Sequence, residues 1–247
     1  IPEAAAMFPL PRELYDEGIR RYGFHGLSYE SIVQQIGNGI PRRTVIAHLG
    51  SGASLAAIWE GRSIDTTMGL TPTGGIPMAS RSGDLDPGVL LYLFRSKYMN
   101  TDSLEALLNR DAGLKALSGG MSDMRDIEAA AAKGNQEAQL SIELFCTSIR
   151  KTIAAYAAVL GGLDMVVFSG GIGEHSVRVR NDVCRGLAFL GFDLDDLRNQ
   201  SHHRTISTDA SKVQVCVVGS EEDLMIARHC RAIMRESGIS QLSHSSG

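Results

Sequence analysis

The residues best suited to chemistry lie in a few short stretches. Gly50-Ser51-Gly52 separates two apolar runs. Two glycines around one small hydroxyl residue let backbone N–H groups approach an anion closely, because no Cβ intervenes and positive φ carries no penalty. An ordinary hairpin tip would read the same way, so this turn alone decides nothing. Ser169-Gly170-Gly171-Ile172-Gly173-Glu174-His175-Ser176 forms a second glycine bend. The apolar run at 164–168 leads into it as a buried strand, and Ser176 is a good N-cap for a helix reaching about 190. A strand, a cluster of glycines and a helix start point to phosphate or adenosine binding. Together the two bends predict one nucleotide site, their amides converging on the same phosphates.

Other candidates surround these bends. Arg81 is the one cation of a long Gly-, Pro-, Ser- and Thr-rich loop at 68–86, which is too long for a simple connector. Its planar fork matches phosphate or carboxylate oxygens; Asp84 and Asp86 nearby leave a purely structural ion pair as the alternative. His25, between Gly23-Phe24 and Gly26, reads either as a turn residue or as a phosphate contact. Asp123, Met124 and Arg125 open a helix whose backbone donors could hold ribose or phosphate, or could simply be capped. Glu221, Glu222 and Asp223 sit in the first turn of the last helix, where dipole capping explains them and a metal role stays open.

The elements that must position these groups follow from the pattern. Strands are predicted at 45–48, 53–59 and 63–67, with tight turns between them, and a last strand at 213–218. Helices are predicted at 13–18, from about 28, at 89–97 after the Asp86-Pro87 start, at 101–109, at 122–133 and at 137–160. The 137–160 helix carries Ile142, Phe145, Ile149, Ile153, Tyr156 and Leu160 at helical spacing and reads as core. The final helix, 223–234, has Ile226, Ala227, Cys230, Ile233 and Met234 on one stripe. Residues 235–247 read as a disordered tail.

Composition bounds the function. The 247 residues are 43% hydrophobic and 21% charged, enough for a proper core. The formal charge of −4 and the lack of basic runs argue against nucleic acid. No apolar run is long enough to cross a bilayer, and the N-terminus lacks the order of a signal peptide, so a cytoplasmic protein with no membrane partner is expected. The four cysteines lack CxxC spacing and lie in apolar segments, which predicts buried thiols. Residue 1 is Ile, and the opening reads as the later part of a longer chain.

In order, RRYGFHG (20–26), HLGSGASLAAIWEGRSIDTTMGLTP (48–72), ASRSGDLDP (79–87), VVFSGGIGEHS (166–176) and GSEEDLMIAR (219–228) resemble the acetate kinase family, the acetate and propionate kinases of the actin, Hsp70 and sugar-kinase superfamily. The resemblance implies an α/β fold, an actin-like (ribonuclease H-like) domain with a mixed sheet flanked by helices. Residues 1–218 would be the second, nucleotide-binding domain. Residues 219–234 would pack on a first domain lying upstream of Ile1, and the chain alone would hold nucleotide without turning over. It implies MgATP-dependent phosphorylation of acetate, or of propionate or butyrate, by a homodimer. Arg81 and His25 would be catalytic, with Phe24 and Pro72 lining the acyl pocket. Nucleotide would be held by His48, Leu49, Gly50, Ser51, Gly52, Asp123, Met124, Arg125, Gly171, Ile172, Gly173, Glu174 and His175, and Mg2+ would be associated with Glu222. The chain departs from the family's usual Asn at Ser51 and at His175, and from Thr-Asn at Ser220-Glu221.

Overall fold

A computed structural model describes residues 1–236. Two short helices, α1 (Glu3–Ala6) and α2 (Arg12–Asp16), precede α3 (Gly26–Ile36) and a hairpin pair of strands, β1 (Arg43–Leu49) with β2 (Ala53–Trp59), extended by β3 (Arg62–Thr66). A helical stretch follows: α4 (Pro87–Ser96), α5 (Thr101–Arg110), α6 (Gly113–Leu117), α7 (Met124–Ala132) and α8 (Gln136–Val159). The chain then returns to the sheet through β4 (Met165–Ser169), followed by α9 (Gly170–His175), α10 (Val177–Arg185), α11 (Asp196–Gln200), β5 (Gln214–Val217) and α12 (Glu222–Glu236).

Local chemistry sets the helix starts. Asp86 accepts from Gly88 N with Pro87 in the first turn, and Asn135 and Ser176 cap α8 and α10 through their side-chain oxygens. Each satisfies a backbone donor that the helix itself cannot.

The sheet order is β3-β2-β1-β4-β5. β1 pairs antiparallel with β2 and parallel with β4, and β4 pairs parallel with β5. Both faces are buried, which is why the strands read as nearly continuous apolar runs. Val45, Ala47 and Leu49 face the larger core with Phe145, Ile149 and Ile153 of α8; Ile46 faces the smaller one with Tyr29 and Ile32 of α3. In the parallel register His48 lies opposite Ser169, so the glycine bends that follow β1 and β4 leave the sheet side by side.

Several expectations change. The glycine run at 170–175 is a short helix rather than an open bend, and the helix after Ser176 stops at Arg185, with a separate 3-10 turn at Ala188–Leu190. Cys146, Cys184 and Cys216 are buried, but Cys230 is exposed. The reason lies in α12, which touches α3 of this same domain through the Arg228–Gln34 and His229–Glu30 contacts and buries Met225. Its stripe of Ile226, Ile233 and Met234 stays exposed. Arg235 and Glu236 continue α12 rather than beginning a tail, and the rest of the expected tail lies outside the described residues.

Gly170 shows how closely the two bends pack. Its φ is +73°, and a Cβ there would lie 2.7 Å from the Leu49 carbonyl oxygen. Gly170→Ala is expected to destabilise the domain by at least ~1–3 kcal/mol from left-handed strain alone, read as a lower denaturant midpoint. An unchanged midpoint would show that the bends do not abut.

Candidate active site

Residues from three parts of the chain meet at Gly52. A Cβ there would sit 3.2 Å from His25 Nε2 and 3.4 Å from an Arg81 terminal nitrogen, so the ring and the guanidinium face the same backbone turn. His25 reaches this position with φ +60°, as the residue that starts α3. Its Nδ1 is 2.8 Å from Ser54 Oγ, which also meets the buried Tyr29 hydroxyl. If Tyr29 donates to Ser54 and Ser54 to Nδ1, the ring proton is left on Nε2, pointing at the turn. The His48 ring stacks on His25 with centroids 4.2 Å apart, and its Nδ1 is held by Ser28 Oγ at 2.8 Å.

Both histidines are kept neutral. Burial, the neighbouring His48 and Arg81 lower the His25 pKa to about 4. Burial also lowers that of His48, opposed by the nearby Glu222 and Glu174 carboxylates. At neutral pH His25 is therefore a hydrogen-bonding group, and the positive charge at the turn belongs to Arg81.

Arg81 does not form the ion pair that the sequence left open. It donates to the Pro72 carbonyl at 3.3 Å, while Asp84 accepts from Gly75 N and Asp86 caps α4. The loop is tied to the first glycine turn by Ala79 N donating to the Ser51 carbonyl at 3.2 Å.

The second bend arrives from β4. A Cβ on Gly50 would be 3.9 Å from Gly171 N, so the two turns touch through backbone. From this contact a cavity of about 900 Å³ opens, lined by Gly50, Ser51, Asp123, Met124, Arg125, Gly171, Ile172 and His175. That volume suits a nucleotide-sized ligand. Asp123 caps α7 and pairs with the exposed Arg125, which holds its carboxyl down at about 2. Leu49 and Met124 have side chains in the core, and Gly173 is packed against Phe168, so these residues offer the site mainly backbone. Phe24 is half buried against the main core and lines a separate cavity of about 500 Å³ with Tyr22 and Tyr29, whereas Pro72 stands at Arg81.

Sequence reading missed the groups behind the site. Ser28, Ser54 and Tyr29 orient the two histidines; a lone serine inside the apolar β2 was the available signal. Arg110, Lys115 and Glu128 also line the large cavity.

A divalent cation is testable against these residues. Among the described residues no cluster of three or more His, Cys, Asp or Glu could hold a metal by itself. Glu222 and Glu174 do flank His48, and the buried Ser169 Oγ, opposite His48 in the sheet, has no hydrogen-bond partner. Mg2+ commonly uses one or two carboxylates and takes its remaining oxygens from phosphate and water. The donor set fits an ion delivered with a polyphosphate.

The Acetokinase family model matches residues 1–228. The chain belongs to the acetokinase family. It is 45% identical over 242 residues to an acetate kinase from Nostoc punctiforme, covering 95% of this chain and 60% of that protein. It is 47% identical over 232 residues to one from Methylocella silvestris, covering 92% of this chain and 57% of that protein. Two crystal structures share its fold. A Porphyromonas gingivalis acetate kinase aligns with TM-score 0.90 at 37% identity over 95% of this chain and 61% of that one. A Francisella tularensis propionate kinase aligns with TM-score 0.88 at 36% identity over 92% and 60%. This acetokinase chain thus spans about 60% of the length of the relatives it matches, and its mixed sheet is that of the actin-like class. No described helix is long and apolar enough to cross a membrane.

The neutral histidines give a pH test. The unfolded His25 titrates near 6.5 and the folded one near 4, so between those values the unfolded state binds more protons and stability rises with pH. His25 thus contributes stability that is fully present above pH ~6.5 and is lost as pH falls toward ~4. Denaturant midpoints between pH 4 and 7 should fall toward acid in the native chain and fall less in His25→Gln. Equal slopes would place His25 in solvent.

Proposed function

We propose that this chain is the nucleotide-binding portion of a kinase that transfers the γ-phosphoryl group of MgATP to a short-chain carboxylate, acetate first, giving an acyl phosphate and ADP. One observation carries the reading: Arg81 and His25 point at the same turn, Gly52, beside the contact between the two glycine bends. A carboxylate oxygen would attack the γ-phosphorus in line, forming the new O–P bond as the bond to the β-phosphate oxygen breaks. The transition state is loose, so catalysis is mostly placement and charge stabilisation.

In this reading the amides of Ser51 and Gly171 hold phosphate oxygens, the Gly50 amide being taken up by the Gly52 carbonyl within the turn. Arg81 neutralises charge spread over the equatorial oxygens, and the neutral His25 donates from Nε2 to one of them. Asp123, Arg125 and His175 line the side of the cavity where adenosine would lie. Glu222, with Glu174 nearby, would hold the cation, which supplies charge neutralisation of the phosphates when bound. Pro72 would border the acyl group at Arg81, with Phe24 behind His25. Propionate is a second candidate acceptor, because the propionate kinase aligns about as well as the acetate kinase. The setting proposed is cytoplasmic.

Because the chain spans only about 60% of its relatives, we expect it to bind Mg-ADP but not to form acyl phosphate by itself. Calorimetry with Mg-ADP and hydroxamate trapping with acetate and ATP test the two halves of that statement. No heat would defeat the nucleotide reading; acyl phosphate formation by the chain alone would defeat the incomplete-site reading. In an enzyme carrying the rest of the family's length, Arg81→Ala should lower turnover by about 10³-fold or more with ATP affinity within a few fold. Unchanged turnover would remove Arg81 from the chemistry.

The proposed homodimer has a candidate surface. α4 buries none of its residues, and Val89, Leu91, Tyr92 and Phe94 are all exposed. Leu90 and Leu93 are partly covered, and the apolar surface that remains exposed on this helix is an association surface. Leu91→Glu with Tyr92→Lys should shift the chain from dimer to monomer in sedimentation velocity while its circular dichroism stays native; an unaltered dimer would place the interface elsewhere.

A further inference from the structure

The helix that follows β4 is an unlikely helix by composition. α9 is six residues long and half glycine, Gly-Gly-Ile-Gly-Glu-His. Glycine costs about 1 kcal/mol per position in a helix interior, and a helix this short does not persist unaided. Something outside it must fix its shape. Its start is pinned by the close packing of Gly170 on Leu49, and Gly173 rests against Phe168. Its end is held by Arg180.

Arg180 is fully buried, with 0% exposure. Its terminal nitrogens donate to the Gly173 carbonyl at 2.9 Å and to the Glu174 carbonyl at 2.8 Å. The other contacts run to α11 and the turn after it: Nε donates to Asn199 Oδ1 at 2.7 Å and a terminal nitrogen to the Asn199 carbonyl at 2.9 Å, while His202 Nδ1 lies 3.1 Å from that nitrogen and 3.0 Å from the Glu174 carbonyl. Four of the guanidinium N–H groups have oxygen acceptors, and none of these is a carboxylate. The buried charge is balanced by the carbonyl ends of α9, where the helix dipole is negative. A cation this deep with no acid partner needs a reason, and capping a glycine-rich helix is one.

We infer that Arg180 is a positioning residue for nucleotide binding, acting through the Gly173 and Glu174 carbonyls to hold α9 so that Gly171, Ile172 and His175 face the nucleotide cavity. The inference rests on the function proposed above, and it is separable from it. Its sequence signal was an arginine on the apolar side of α10, one helical turn before Val183 and Cys184.

The test uses the 247-residue chain. Arg180→Lys keeps the charge but cannot fill the planar fork; Arg180→Met keeps the apolar stem and removes the charge. In either variant we expect Mg-ADP affinity to fall about tenfold to a hundredfold and amide hydrogen exchange at 170–175 to speed up, while exchange in β1 and α8 stays native. Asn199→Ala removes the side-chain acceptor of the α11 side and leaves the α9 carbonyl bonds, so it should lower stability with Mg-ADP affinity within about twofold. The inference is overturned if a folded Arg180 variant binds Mg-ADP as the native chain does, or if Asn199→Ala loses affinity equally. It is also overturned if both Arg180 variants fail to fold while Asn199→Ala folds, since the residue would then be structural only. Failure of the native chain to bind Mg-ADP defeats the proposed function instead, and exchange at 170–175 then judges the positioning claim: native-like exchange in the Arg180 variants overturns it as well.

Discussion

The parallel pairing of β1 with β4 is the constraint on which the rest of the site depends. With His48 opposite Ser169, the two strands end within one residue of the same level and each passes into glycine. The lack of a Cβ on Gly170, which would collide with the Leu49 carbonyl, lets the two exits approach as they do, and Gly50 then lies beside Gly171. Ligands in open α/β sheets sit beyond the carboxyl ends of the strands, and here two such ends are fused into one backbone surface. A one-residue slip would turn His48 into the larger core and separate the bends.

Around that surface, charge is placed sparingly. Burial disfavours a proton on His25, and the stacked His48 and Arg81 push the same way. The two histidines are held as directional hydrogen-bonding groups by Ser28, Ser54 and Tyr29 rather than as cations. The fixed positive charge at the turn is Arg81, spared from pairing because Asp84 and Asp86 are engaged in the loop and the α4 cap. A guanidinium whose acids are occupied elsewhere is available to an anion.

Much of this was legible in the chain. The GSG turn, the SGGIG run and the lone arginine of a long loop each follow from local chemistry, and the motif order carried the family. The main strands and the long helix α8 were readable because their apolar spacing is strongly periodic. What could not be read is of two kinds. The helical form of 170–175 contradicts glycine's propensity and exists because β4 and Arg180 impose it, a tertiary override that no local rule supplies. The partners of the histidines come from α3 and β2, far apart in sequence, so only the folded register brings Ser28, Tyr29 and Ser54 to them. The exposed Cys230 has the same origin: a periodic stripe says that a helix is amphipathic, not which neighbour covers it.

The carboxylates complete the electrostatic argument. Glu174 comes from α9 and Glu222 from the start of α12, yet both lie near enough to His48 to oppose the lowering of its pKa by burial. Two acids beside backbone amides and one arginine make a poor receptor for a bare polyphosphate, because they repel what the amides attract. The same acids favour a polyphosphate that brings its own divalent cation, since the ion's charge reverses the local balance. Under the proposed function, that charge pattern would favour a metal-loaded nucleotide over a free one. It also gives α12 a place near the site that its exposed apolar stripe does not suggest: through the contacts of Gly219 and Glu221 with Gln35 and Ser31, α3 steadies the start of α12 and so the acid proposed for the cation, Glu222, as well as carrying the histidine that faces Arg81.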